Sequence, residues 1–95
     1  LTEFDVQPLP IDPPVTVRQA VAEFGLFIAS EGTLRSYPGS THWHLRKPGV
    51  SGTLEVTWHP TANRLWVAYH DNRIGDGWVK VAAEEMTKSL SNNSA

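Results

Sequence analysis

Residues 41–70, THWHLRKPGVSGTLEVTWHPTANRLWVAYH, decide the fold. In the first run, 41–46, Trp43 and Leu45 point one way while His42, His44 and Arg46 point the other. Further on, Leu54, Val56 and Trp58 alternate with Thr53, Glu55, Thr57 and His59. In the third run Leu65, Val67 and Tyr69 alternate with Arg64, Trp66, Ala68 and His70. Three successive runs of period two predict antiparallel strands with one buried and one open face. The linkers suit hairpins, because 47–52 carries Pro48, Gly49 and Gly52, and 60–63 is a short turn opened by Pro60.

Upstream, Val17, Ala20, Val21, Phe24 and Ile28 recur at helical spacing. Thr16 with Gln19 fits a capping box, and Val15 can staple onto Ala20. The spacing predicts a helix over 17–31, with Gly32 ending it and Gly25 costing about 1 kcal/mol inside it. Residues 33–37 then read either as a short edge strand or as loop, ahead of a Pro38-Gly39 turn. Downstream, 71–77 reads as a polar loop in which Asp76 can cap a second helix. Val79, Ala82, Ala83, Met86 and Leu90 form that helix's apolar stripe.

Four of the seven prolines fall at 8, 10, 13 and 14, so residues 1–14 read as an extended arm lying across the domain. The expected class is α+β, in the order α-β-β-β-α after that arm. It has a three-stranded antiparallel sheet, four-stranded if 33–37 pairs, with both helices on the Trp43/Leu54/Val67 face. The expected divisions are an arm at 1–14, one domain at 15–90 and a frayed polar tail at 91–95.

Ninety-five residues make one domain with one modest core. Without cysteine, disulfides, thiolate metal sites and thiol nucleophiles are excluded. A net charge of −2 argues against a general polyanion binder. No run of apolar residues is long enough for a membrane helix, and residues 1–14 lack the basic start and apolar stretch of a signal peptide. The reading is therefore cytoplasmic, with no membrane partner.

The open face carries the chemistry. Pairing His59 with Arg64 sets Thr57 opposite Trp66 and Glu55 opposite Ala68, and pairing Leu45 with Leu54 sets His44 opposite Glu55 and His42 opposite Thr57. Opposed Cβ atoms lie about 4.5–5.5 Å apart, so His42, His44, Glu55, Thr57 and Trp66 form a cluster, with Arg46 and His70 toward one end. Two histidines and a carboxylate suit zinc or non-haem iron, with His70 a poor fourth ligand. The favoured reading is a solvated polar pair with His44 hydrogen-bonded to Glu55, and hence no metal and no cofactor. Gly75-Asp76-Gly77 reads as a helix cap rather than an anion site, and Asp71, Asn72 and Asp76 lack the spacing of a calcium loop.

The α-β-β-β-α order is that of double-stranded-RNA-binding domains. Gly39-Ser40-Thr41-His42-Trp43-His44 resembles, over six residues, the Gly-Ser-His pattern opening the first strand of HicA-type toxins, small ribonucleases of that architecture. Thr41 departs from the pattern by standing between serine and histidine. The resemblance implies His42 as a catalytic residue. From the residues themselves, His42 or His44 with Glu55 could do acid–base work, and Arg46, Lys47 and Arg64 make a small basic set.

Trp66 is the one large apolar residue on the open face and needs a cover: the arm through Phe4 or Val6, a second protomer, or a stacked ligand. The leading expectation is a protein-interaction or small-ligand-binding module whose working face is Trp66, His42, His44, Glu55, Thr57 and Arg46. Self-association through that face or a sheet edge belongs to the same reading. The alternative is a small ribonuclease or RNA-binding domain using His42, His44 and Glu55. Catalysis is the less favoured class.

Overall fold

The computed structural model describes residues 1–92 and shows an α+β domain with five strands rather than three or four. The strands are β1 (Thr2–Asp5), β2 (Phe27–Gly32), β3 (Thr41–Arg46), β4 (Leu54–His59) and β5 (Arg64–Tyr69), and the helices are α1 (Pro13–Glu23) and α2 (Trp78–Asn92). All neighbours in the sheet are antiparallel, in the order β1-β5-β4-β3-β2. Strands β2 to β5 follow one another, whereas β1 and β2 sit at opposite edges, so α1 carries the chain across the sheet.

The three inner strands pair as their alternation predicts. Leu45 lies opposite Leu54, His44 opposite Glu55 and His42 opposite Thr57. Thr57 lies opposite Trp66, Glu55 opposite Ala68 and His59 opposite Arg64.

The helix predicted over 17–31 is displaced. Its N-cap is Asp12, whose carboxylate accepts from the Val15 amide at 3.4 Å, with Pro13 and Pro14 filling the first helical positions. Prolines are suited there, because the first-turn amides have no helical acceptor to lose. Thr16 is buried inside the helix instead of capping it, and Val15 is half exposed. Gly25 is the terminator. With φ at +68° it lets the Leu26 amide donate to the Val21 carbonyl and the Gly25 amide to Ala22, a Schellman closure.

The chain then extends as β2, with an irregularity in register between Ile28 and Ser30. Ile28 lies opposite Leu45 and packs on the core, so its place in the helical stripe was a coincidence of spacing. Glu31 lies opposite Trp43, accepts the indole N–H at 2.7 Å and pairs with Arg18 of α1 at 3.0 Å. Residues 33–40 are loop, closed by a Tyr37 amide to Leu34 carbonyl bond and a Ser40 amide to Tyr37 carbonyl bond.

The expected arm is partly sheet. Thr2–Asp5 pairs along β5, with Phe4 opposite Val67 and Glu3 opposite Ala68. At the other end Ser91 and Asn92 belong to α2, and the rest of the expected tail, 93–95, lies outside the described residues.

Both helices cover the face predicted for them. Val17, Ala20 and Val21 of α1 and Val79, Ala83, Met86 and Leu90 of α2 share one core with Trp43, Leu45, Leu54, Val56, Leu65 and Val67. Each fully buried Leu, Val or Met in it contributes about 1.5–3 kcal/mol of transfer free energy. The start of α2 is pinned to the β3–β4 loop, because the Trp78 indole donates to the Ser51 carbonyl at 2.7 Å. Gly75 has φ at +60°, and a Cβ there would collide with that carbonyl and the indole.

Candidate functional site

With the helices on one face, the other face presents every second residue of β3, β4 and β5. Glu55 stands on the middle strand, β4, between His44 on one side and Ala68 on the other. It is only 7% exposed, which is unusual for a carboxylate. Three imidazoles surround it. His42 Nε2 is 3.1 Å and His44 Nε2 3.6 Å from Oε1, while His70 Nε2 approaches Oε2 at 3.3 Å. That last approach is an ion-pair distance without hydrogen-bond alignment, and among the described residues Glu55 Oε2 is a buried acceptor with no hydrogen-bond partner.

The second ring nitrogen of His42 is also engaged: Nδ1 lies 2.6 Å from the buried hydroxyl of Thr57. A hydroxyl can donate or accept, so this contact suits either tautomer. The rings of His42 and His44 meet edge to face with centroids 5.0 Å apart.

The electrostatics follow from this packing. Hydrogen bonding from His42 holds the Glu55 carboxyl below the ordinary range, outweighing the opposite push of burial, and His44, His70 and His42 add to it. Burial pulls His44 below the ordinary imidazole range. Glu55 pushes it back up, while His42, Arg73 and His70 add to the lowering.

Over this floor lies an open cup of about 260 Å³. Its floor is His42, Glu55 and Thr57, and one wall is Trp66 with Leu34 and Tyr37 of the 33–40 loop. Leu1, Glu3, Ala68 and His70 close the opposite side. The loop is held there by the bond from the Leu34 amide to the Ser40 hydroxyl, 3.2 Å. Among the described residues no lysine or arginine lines the cup.

Trp66 departs from expectation in its surroundings. It is 3% exposed, and none of the three expected covers is what covers it. Tyr37 packs edge-on at 5.3 Å, and the Arg64 guanidinium lies 4.1 Å above the ring, itself held by Asp5 at 2.8 Å and Glu3 at 3.7 Å. Phe4 and Val6 pack into the core on the far side of the sheet.

Of the residues singled out from sequence, His42, Glu55, Thr57 and Trp66 meet in the cup; His44 adjoins its floor through Glu55, and Arg46 at the end of β3 lies outside the lining. His70 is closer than its strand position suggested. Leu34 and Tyr37 were missed, since a loop carries no periodic signal. Leu1 and Glu3 escape the sequence reading because residues 1–14 read as an extended arm lying across the domain, not as an edge strand beside β5.

Comparison with protein-family models, curated proteins and solved structures finds no significant match. The six-residue likeness to HicA-type toxins gains no support from it. The element order, with a strand before α1 and four after it, also differs from α-β-β-β-α. What the site does must be argued from its own geometry. Among the described residues no helix is long and apolar enough to cross a membrane.

Proposed function

We propose that the domain is a small-ligand-binding module and that the cup over Glu55 is its site. The observation that carries this reading is Glu55, a carboxylate only 7% exposed whose Oε2 has no hydrogen-bond partner among the described residues, in the lining of a cavity open to solvent. A buried acceptor without a donor costs about 1–3 kcal/mol, and more when charged, so an occupant that supplies the donor recovers that loss. Binding sites combine an apolar wall with a few convergent polar groups. Here Trp66, Tyr37 and Leu34 are the wall, and Glu55, Thr57 and His42 are the polar groups.

The occupant is small and electron-poor. The cavity lies just below the roughly 300–1,000 Å³ of ordinary ligand sites, which suits a ligand smaller than a nucleotide cofactor. Its fixed charge is negative, from Glu55 and Glu3, and the nearest arginine against Trp66 is already spent on Asp5 and Glu3. A phosphate would find no cation in the lining, so the ribonuclease and RNA-binding alternative has less support than a ligand bearing a cation or an N–H or O–H donor. The buried indole likewise lends less support to a protein interface anchored on Trp66, because its own chain leaves only 3% of it exposed, in the lining of the cup.

The test is a fragment titration of ¹⁵N-labelled protein in excess chelator, using small amines, amidines, amides and carboxylic acids. Donor-bearing fragments should shift the amides of Tyr37, Thr57, Trp66 and His70, and Glu55→Gln should weaken them about tenfold or more. If no fragment shifts these amides, or the acids bind best, the reading fails.

A further inference from the structure

We infer that the floor of the cup is a three-ligand site for a divalent first-row transition-metal ion of the zinc class, held by His42 Nε2, His44 Nε2 and Glu55 Oε1. This deepens the ligand-binding reading and rests on it, naming the electron-poor group that Glu55 receives.

The spacing fits the ion. Zinc bonds nitrogen and oxygen at about 2.0–2.1 Å in a tetrahedron, which places ligand atoms roughly 3.3–3.4 Å from one another. The His42–Glu55 and His44–Glu55 separations, 3.1 and 3.6 Å, bracket that value. All three ligand atoms fall within 4.8 Å of one another, so small side-chain rotations close the set. Neighbouring strands β3 and β4 supply all three ligands, His44 directly opposite Glu55 and His42 two residues along β3 opposite Thr57, and a sheet holds such positions rigidly.

The surrounding groups are those a metal site requires. Histidine ligands usually engage their other ring nitrogen, which fixes the ring and its tautomer. His42 does so through Nδ1 to Thr57 Oγ1. When a metal takes Nε2 the proton resides on Nδ1, and the Thr57 hydroxyl can turn from donor to acceptor without moving. Glu55 keeps its second oxygen for His70 Nε2, 3.3 Å away, an outer partner for a carboxylate bound through Oε1.

The donor set selects the metal class. Two imidazoles and one carboxylate favour zinc, cobalt, nickel or iron(II) over magnesium and calcium, which take mostly oxygen. Three protein ligands leave a coordination position open for a small ligand to complete the shell.

The experiment is titration of the chelator-stripped protein with zinc chloride, followed by calorimetry and thermal unfolding, and with cobalt(II), followed by visible absorption. We expect one equivalent of zinc per chain and a Tm rise of about 11–22 °C at a hundredfold excess over Kd. Cobalt should give intense d–d bands of low-coordinate geometry. His44→Gln and Glu55→Gln should each weaken zinc tenfold or more while far-UV circular dichroism stays unchanged. His59→Gln, on the same face but outside the set, should leave binding unchanged.

No zinc uptake, or uptake that Glu55→Gln and His44→Gln leave unaltered, overturns the metal site. If zinc fails while donor fragments still bind in chelator, only the metal assignment falls and the cup remains a ligand site. If both fail, both fall.

Discussion

Trp66→Ala tests whether the indole belongs to the monomer's own packing. The side chain is 3% exposed, and truncation of a buried tryptophan costs about 3–5 kcal/mol. Two specific contacts go with it. The edge-on Tyr37 pair is worth about 0.5–1.5 kcal/mol, and the Arg64 cation over the ring about 0.5–1 kcal/mol at a partly exposed site. Tyr37 rides on a loop that can settle into the space left behind, which places the expected loss near the low end, about 3 kcal/mol.

Against a total of about 5–15 kcal/mol this is a large fraction. For a domain of this size it lowers Tm by about 12–24 °C. Urea unfolding followed by far-UV circular dichroism measures it without relying on tryptophan emission, and the m-value should stay unchanged. A double-mutant cycle with Arg64→Met isolates the cation term, expected at about 0.5–1 kcal/mol. A loss below about 1 kcal/mol would refute the reasoning. If concentration-dependent light scattering then showed weakened self-association, Trp66 would be an interface residue after all.

Further outcomes follow from the same packing. Metal-free protein should lose stability in two steps as pH falls. His44 has a depressed pKa, so below roughly 6.5 the unfolded chain takes up its proton first; Glu55 repeats this below roughly 4.3, again because its folded value is lowered. Both contributions are complete above those windows, and chemical denaturation from pH 8 to 3 should show the midpoint difference between the parent and His44→Gln or Glu55→Gln change on acidification in the sense of a loss in the parent; a difference that moves the opposite way is incompatible with these directions. Glu31→Ala should cost about 1–3 kcal/mol by leaving the buried Trp43 indole N–H without its acceptor, whereas Glu31→Gln, which restores an acceptor, should recover part of that in the same denaturation assay. Gly75→Ala should cost about 1–3 kcal/mol, from a left-handed backbone and the collision with the Ser51 carbonyl, and a neutral result by thermal unfolding would show that the β3–β4 loop yields freely.

The inner sheet was legible because its strands are constrained from both sides. Alternation in β3, β4 and β5 put one set of residues in the core and the other on the open face, and a slip of one residue would have exchanged them. The edge strands lacked this double constraint. In β2 most residues are exposed, so its alternation is faint, and the spacing of Phe24 and Ile28 imitated a helix. Gly25 looks from sequence like a cost inside a helix, whereas its left-handed conformation is what ends the helix. The prolines at 13 and 14 were read as barring helix, although at its first positions they favour it. For β1, a short stretch before a proline-rich segment carries no alternation strong enough to announce a strand.

The site was half legible for a related reason. Register from sequence compares residues directly opposite one another, and on that measure His70, beyond the end of β5, is remote from His42 and His44 on β3. But all three histidines converge on Glu55, which stands on β4 between them, so the relevant distance is one strand in each direction. Ala68 is the residue directly across from Glu55, and its small side chain leaves the space through which His70, two positions along, reaches the carboxylate. Diagonal neighbours on a sheet are about 7–8 Å apart, within the span of an imidazole on one side and a glutamate on the other. A central carboxylate flanked by histidines on one neighbour and by a small residue on the other is therefore a pattern to seek when strands can be aligned, because it builds a buried acceptor with room above it.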